Sequence, residues 1–156
     1  MHKVVAFTTC VLLLATSGAL RARQARSEFG IHAASDKAVP GWLRMQYEND
    51  ALWINPLVTL RASDILSAVE NTEPDGRLSV AITFTDAGAQ KMRNLSAAQS
   101  NKFIAMVLDG RVIFARRVRG EMGKEVQIPV SEAFVDKLLA AINDAPDDLP
   151  VRSLLK

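Results

Sequence analysis

The sequence is short of the residues that most enzyme and metal sites use. Its 156 residues include one cysteine and two histidines, His2 and His32. A single cysteine excludes an intrachain disulfide framework and a zinc site built on cysteines. Few histidines exclude most metal and acid–base arrangements that depend on imidazole. Because no histidine follows position 32, a Ser–His triad within the later part of the chain is impossible.

The chain also has little net charge and none of the common phosphate-binding or hydrolase motifs. The 19 Lys and Arg residues exceed the 17 Asp and Glu residues by two, too small an excess to indicate nucleic-acid binding. Asp144, Asp147 and Asp148 lack the alternating spacing of a calcium loop and are interpreted as solvated carboxylates after a helix end. We predict a non-enzymatic protein with no cofactor, no metal and no nucleic-acid partner.

The most continuous apolar run stands at the N-terminus, over residues 4–14. Lys3 precedes the run, and the small residues Ser17-Gly18-Ala19 follow it. This layout is typical of a secretory signal peptide, here residues 1–19 with cleavage after Ala19. The run is shorter than the about 20 apolar residues that a membrane span needs.

Three arginines after the apolar run leave a second interpretation open. Arg21, Arg23 and Arg26 oppose translocation of the chain that follows them. An uncleaved inner-membrane anchor, or a misassigned start, is therefore the alternative to a cleaved signal. We predict a periplasmic or secreted protein, whose membrane contact is confined to residues 1–19 if these are retained.

The remaining sequence predicts one small α+β domain. Residues 20–41 are mixed in charge and unpatterned, and we predict a flexible linker that ends at Pro40-Gly41. The domain is predicted over residues 42–150, with a tail at 151–156. Apolar patterns predict strands over 43–47, 51–60, 78–84, 102–108, 111–119 and 125–128, and helices from Ser63, Thr85 and Ser131 to about positions 70, 95 and 143. This order predicts a mostly antiparallel sheet with helices on one face.

Two local motifs have a direct physical interpretation. Thr85 can cap the second helix, and Gly88 in its first turn can allow close packing on the sheet. Asp109-Gly110 between two apolar strands supplies the positive φ angles of a tight hairpin. These are fold residues, and they carry no chemistry.

In their order along the chain, these motifs resemble the head subdomain of the first periplasmic domain of the SecD/SecF protein-export proteins. The resemblance rests on the segments 82–89, 95–96 and 104–113. The segment 60–65 followed by Ala68 supports it upstream, and 127–128, 132–142 and 149–150 support it downstream. It implies an export accessory that binds translocating or unfolded polypeptide, or another envelope protein. The family's transmembrane helices are not in this sequence, so we expect a freestanding head-like module. A structural or regulatory envelope module that reuses the fold, without any role in export, is the alternative.

Arginines cluster on the last hairpin strand. Strand alternation predicts that Arg111, Arg117 and Arg119 share one face, with Arg116 on the other. This face is a candidate binding site for an acidic partner or for lipid headgroups. The competing interpretation is a solvated sheet edge, where positive charge discourages association between edges.

Overall fold

A computed structural model of the protein describes residues 27–143. The predicted signal peptide, the predicted tail and the three aspartates at 144–148 lie outside the described residues. None of the helices in the described part of the chain is long and apolar enough to cross a membrane.

Strands dominate the described chain. The strands are β1 Phe29–Ser35, β2 Leu43–Tyr47, β3 Asp50–Ile54, β4 Leu60–Arg61, β5 Ile65–Thr72, β6 Leu78–Phe84, β7 Phe103–Leu108, β8 Arg111–Arg117 and β9 Glu125–Pro129. The helices are α1 Asp86–Ala98 and α2 Glu132–Asn143, and a short 3₁₀ helix, Ala62–Asp64, precedes β5.

The strands form two antiparallel sheets. The large sheet has the order β2-β3-β1-β7-β8, with β4 paired to β1, and the small sheet has the order β5-β6-β9. The large sheet curls, so that its two outer strands, β2 and β8, come close together without pairing.

The main core lies between the two sheets and the two helices. It holds the inward side chains of both sheets together with Met92 of α1 and Leu138 of α2, which are fully buried. A smaller cluster around Ala34, Ile54 and Ala105 fills the inside of the curl. Both helices pack on the main-core side. The predicted α+β class, with helices on one face of antiparallel strands, is therefore confirmed.

The segment after Ser63 is a strand, and the predicted helix there is wrong. Ile65, Leu66 and Val69 have helical spacing, but residues 65–72 pair with β6. A bulge at Leu66 shifts the pairing register. The bulge turns Leu66 outward, while Ile65 and Ala68 point inward. The apolar residues therefore do not recur at every second position, which is the pattern that normally marks a strand.

The predicted linker at 20–41 also needs correction, because it contains β1. This strand lies in the middle of the large sheet, paired to β7 along its length and to β3 and β4 at its ends. Its sequence, FGIHAAS, is buried on both faces and does not alternate. Small residues pack on both sides of a central strand, so the segment lacks the pattern by which half-buried strands are recognised.

Candidate functional site

The start of α1 is fixed against the 3₁₀ helix by a set of close contacts. The Thr85 hydroxyl accepts a hydrogen bond of 3.0 Å from the Gly88 N–H, which caps the helix. The backbone N–H and the hydroxyl of Thr85 both donate to the Asp64 carbonyl oxygen. A Cβ atom on Gly88 would lie 2.1 Å from that same oxygen. The close approach therefore requires glycine at position 88.

The Asp64 carboxylate completes this arrangement, and sequence reasoning missed it. Asp64 is 7% exposed. Its Oδ2 accepts from the Arg61 N–H at 2.9 Å, and its Oδ1 accepts from Lys91 Nζ at 2.7 Å. The signal available in the sequence was an acidic residue at the end of a short polar segment between two apolar runs, where it can cap backbone N–H groups.

The hairpin between β7 and β8 has the geometry that Asp-Gly favours. Asp109 and Gly110 have φ angles of 49° and 74°. The Asp109 carboxylate accepts from the Glu28 N–H at 2.8 Å, and the Asp109 N–H donates to the Glu28 carbonyl oxygen. The turn therefore holds the chain immediately before β1.

The structure separates the arginines that alternation had placed on one face. A bulge at Ile113 shifts the register between β7 and β8, so Arg111 lies opposite Leu108 while Arg117 lies opposite Phe103. Leu108 belongs to the main core and Phe103 packs inside the curl. Because paired residues share a face, Arg111 and Arg117 lie on opposite faces, and the predicted shared face is wrong.

Arg117 is held by its neighbours within the domain. Its guanidinium donates to the Asp36 carboxylate at 2.7 Å and to the Asn101 carbonyl oxygen, and it lies 4.6 Å from the centre of the Phe103 ring. Among the described residues, Arg111, Arg116 and Arg119 form no salt bridge.

A shallow groove of about 390 Å³ runs beside the end of β8. Arg116, Arg117 and Arg119 line it together with the loop Gly120–Gly123 and β9. The groove also includes Glu121 and Glu125, so its charge is mixed. Opposite charges on one short groove argue against a strongly anionic ligand there.

A second groove, of about 620 Å³, lies between the two sheets. Its walls include Val112 and Ile113 of β8, Pro129 of β9 and Phe134 of α2, and Tyr47 stands at its rim. Partial burial raises the pKa of the Tyr47 phenol, while a hydrogen bond from the Ala115 backbone opposes that rise. Tyr47 of β2 packs against the same small cluster as Ala115 of β8, where the curled sheet nearly closes.

His32 lies inside the large sheet. Its Nδ1 is 2.8 Å from the Asn55 carbonyl oxygen, and a Cβ on Gly30 would meet its ring at 2.8 Å. His32 therefore packs above a glycine that leaves room for it. Within residues 27–143, no three His, Cys, Asp or Glu side chains come together as a metal site would require.

The small sheet has a polar outer face and two edges. On this face, Ser79 donates to the Glu73 carboxylate, and Gln127 donates to both Glu73 and Ser79. These bonds tie β9 to β6 and to the turn after β5. The edges are β5 and β9, since each pairs with β6 alone among the described strands.

Comparison with known proteins identifies the family. The sequence model of the SecDF P1 head subdomain matches residues 41–135. No curated protein matches the sequence. The segments 60–65, 82–89 and 104–113, which carry the resemblance, lie inside the matched range.

Two solved SecDF structures share the fold. One is described as SecDF in a super-membrane-facing form, with 21% identity, a TM-score of 0.62, and coverage of 80% of this chain and 20% of that chain. The other is described as a membrane component SecDF that enhances protein export, with 19% identity, a TM-score of 0.62, and coverage of 80% of this chain and 66% of that chain. The present chain thus spans about a fifth of the first structure. By the family match, the chain belongs to the SecDF P1 head subdomain family.

Proposed function

We propose that this protein is a non-enzymatic envelope protein that assists protein export by binding extended segments of translocating or unfolded polypeptides. The match of the P1 head family over residues 41–135 carries this proposal. One solved relative is described as a component that enhances protein export, and the same role for this chain is the natural starting hypothesis.

The surface of the domain supports binding of unfolded chains. Among residues 27–143, four large apolar side chains are more than half exposed, namely Leu43, Leu57, Leu66 and Val69. Two of them stand together on β5, at the edge of the small sheet. Exposed apolar residues beside a sheet edge suit a ligand that is itself extended and partly apolar.

The proposed compartment is the periplasm. In this proposal residues 1–19 act as a secretory signal, and the domain that follows lies in the envelope. Retention of residues 1–19 would add an inner-membrane anchor to the same domain. The intact mass of the protein isolated from cells separates the two forms, because cleavage after Ala19 removes the N-terminal segment.

A binding measurement tests the proposed function. Fluorescence anisotropy would compare a labelled protein kept permanently unfolded, by reduction and alkylation of its disulfides, with the same protein in its folded state. We expect saturable binding to the unfolded form alone. Failure to bind either form, or equal binding to both, would contradict the proposed function.

The arginines on and after β8 provide a second surface to test. Arg116 and Arg119 line the groove beside β9, while Arg111 lies elsewhere on the strand. We expect at most weak, salt-dependent association with anionic vesicles, because Glu121 and Glu125 share that groove. Strong association at low salt, lost in an Arg116→Ala, Arg119→Ala variant, would instead favour a lipid or acidic partner.

A further inference from the structure

We propose that β5 is the polypeptide-binding site of this domain, and that an extended segment binds by adding a strand to its open edge. This inference rests on the proposed function and names the place where it acts. The expected ligand is an extended segment with apolar residues and lysine or arginine, bound mainly through its main chain.

The direction of the hydrogen bonds along β6 shows which groups of β5 are available. The Phe84 N–H donates to the Lys124 carbonyl oxygen, and the Leu78 carbonyl oxygen accepts from the Val130 N–H. Both bonds point toward β9. Backbone groups alternate in direction along a strand, so the even-numbered residues of β6 face β9 and the odd-numbered residues face β5.

The pairing register shows which residues of β5 turn their backbone groups away from β6. Ala68, Glu70 and Thr72 lie opposite Ile82, Val80 and Leu78, which face away from β5. Residues opposite one another in an antiparallel pair turn their backbone groups either both inward or both outward. The N–H and C=O groups of Ala68, Glu70 and Thr72 therefore point away from β6, toward the open edge. No backbone group of residues 27–143 bonds to them, and the element that packs against β5 besides β6 is helix α2.

Among the described strands, the other long edges, those of β9, β2 and β8, differ from the edge of β5. Along β9, Pro129 lies opposite Ser79 and turns its backbone toward the open side, where proline offers no N–H. The outer strands of the large sheet, β2 and β8, lie close together, which leaves less room for an added strand along either of them. Proline and a closed edge are common ways of protecting a strand.

The side chains of β5 favour a particular ligand. The strand is eight residues long and contains no proline and no lysine. Leu66 and Val69 are 52% and 56% exposed, and Glu70 is the one charged side chain of the strand. Alternation places Glu70 on the opposite face of β5 from Val69. A segment paired along this edge presents side chains to both faces, so apolar residues would contact Leu66 and Val69 while a basic residue would lie near Glu70. Main-chain pairing would tolerate many sequences, as binding to varied unfolded chains requires.

A proline at position 70 removes the central outward donor while sparing the bonds between β5 and β6. The Glu70→Pro variant would be compared with Glu70→Ala, which also loses the charge but keeps the N–H. The probes are a labelled decapeptide of alternating valine and lysine and the permanently unfolded protein described above. We expect Glu70→Pro to bind both probes about tenfold more weakly than Glu70→Ala.

A second variant keeps the test informative if Glu70→Pro does not fold. Thr72→Pro removes the next outward donor, near the end of the strand, and circular dichroism would establish that each variant retains the wild-type spectrum. We expect Thr72→Pro also to bind both probes more weakly than Glu70→Ala. If both folded proline variants bind as tightly as Glu70→Ala, the edge is not the site, and the proposal is overturned.

The outcomes separate this inference from the proposed function. If wild-type protein binds neither probe, the proposed function fails. If wild-type protein binds and the proline variants bind equally well, the proposed function survives and the β5 site does not. A crosslink from position 69 to residues 144–156 of the same chain, or a dimer that Glu70→Pro dissolves, would reveal another occupant of the edge and overturn the proposal.

Discussion

Two motifs of this domain require glycine for different physical reasons. Gly88 lies where α1 meets the 3₁₀ helix, and an added Cβ would overlap the Asp64 carbonyl oxygen. Gly110 lies in the hairpin, and an added Cβ would meet no atom within 4 Å. At position 110 the requirement is conformational, because φ is 74°. Space limits the first motif and backbone conformation limits the second, and the two should respond differently to substitution.

The largest effect is expected for Gly88→Ala. The new methyl group would lie 2.1 Å from a backbone oxygen that cannot rotate away. Helix α1 would have to shift, and the Thr85 hydrogen bonds would be lost with it. We expect a loss of about 3 kcal/mol or more in the free energy of unfolding, measured by urea denaturation. A loss equal to that of Gly110→Ala would remove the distinction between the two motifs.

Asp64→Ala should have the next largest effect. It leaves the Arg61 N–H without its acceptor and removes the partner of Lys91. Because Lys91 is half exposed, most of the cost should come from the unsatisfied backbone group. We expect a loss of about 2 kcal/mol in the free energy of unfolding.

Substitution of Lys91 separates the two parts of that effect. Lys91→Ala removes the ion pair and leaves the hydrogen bond from Arg61 intact. We expect Lys91→Ala to cost well under half as much as Asp64→Ala. Equal losses would mean that the ion pair, and not the backbone hydrogen bond, accounts for most of the contribution of Asp64 to the free energy of unfolding.

Gly110→Ala should cost about 1 kcal/mol, the usual penalty for a Cβ in the left-handed region. No atom lies close enough to add a steric term. Gly110→Asn is the matched control, since asparagine tolerates this conformation, and it should lose less than alanine. If asparagine and alanine destabilise equally by thermal or urea denaturation, backbone conformation does not explain the glycine.

The smallest effects are expected on β8. Arg117→Ala removes an exposed ion pair, a bond to the Asn101 carbonyl oxygen and the contact with Phe103. We expect a loss of about 1 kcal/mol. Arg111→Ala, on the opposite face and without a salt bridge among the described residues, should stay within about 0.5 kcal/mol of wild type. Equal effects would contradict the separation of these two arginines.

The parts of the fold that sequence predicted well share strong local signals. The strand at 78–84 corresponds to β6, and the helix capped by Thr85 corresponds to α1. The strand has alternating apolar residues, and the helix combines apolar periodicity with a capping residue. The Asp-Gly turn is equally local, since its requirement for positive φ depends on two adjacent residues.

Both errors of periodicity arise at bulges. The bulge at Leu66 gave β5 a helical spacing, and the bulge at Ile113 moved Arg111 away from the face of Arg117. A bulge inserts one residue, so every side-chain direction beyond it reverses. Its position depends on the partner strand, which the local sequence does not contain.

Long-range pairing also explains the two remaining omissions. The strand β1 pairs with β7 on one side and with β3 and β4 on the other. Its small residues are buried because of these neighbours, which the local sequence does not reveal. The importance of Asp64 follows from its contacts with Thr85 and Lys91, which lie 21 and 27 residues away. The edge at β5 could not be predicted either, because the segment was interpreted as a helix.

Crosslinking in cells tests the central claim of polypeptide binding at β5 most directly. A photoreactive residue would replace Val69 on β5 or, as a control, Leu43 on β2, since both side chains are 56% exposed. The cells would export a labelled reporter that is held part-way through translocation. We predict that the reporter is captured from position 69 and not from position 43. Equal capture from both positions, or capture of other envelope proteins with no reporter, would contradict the account.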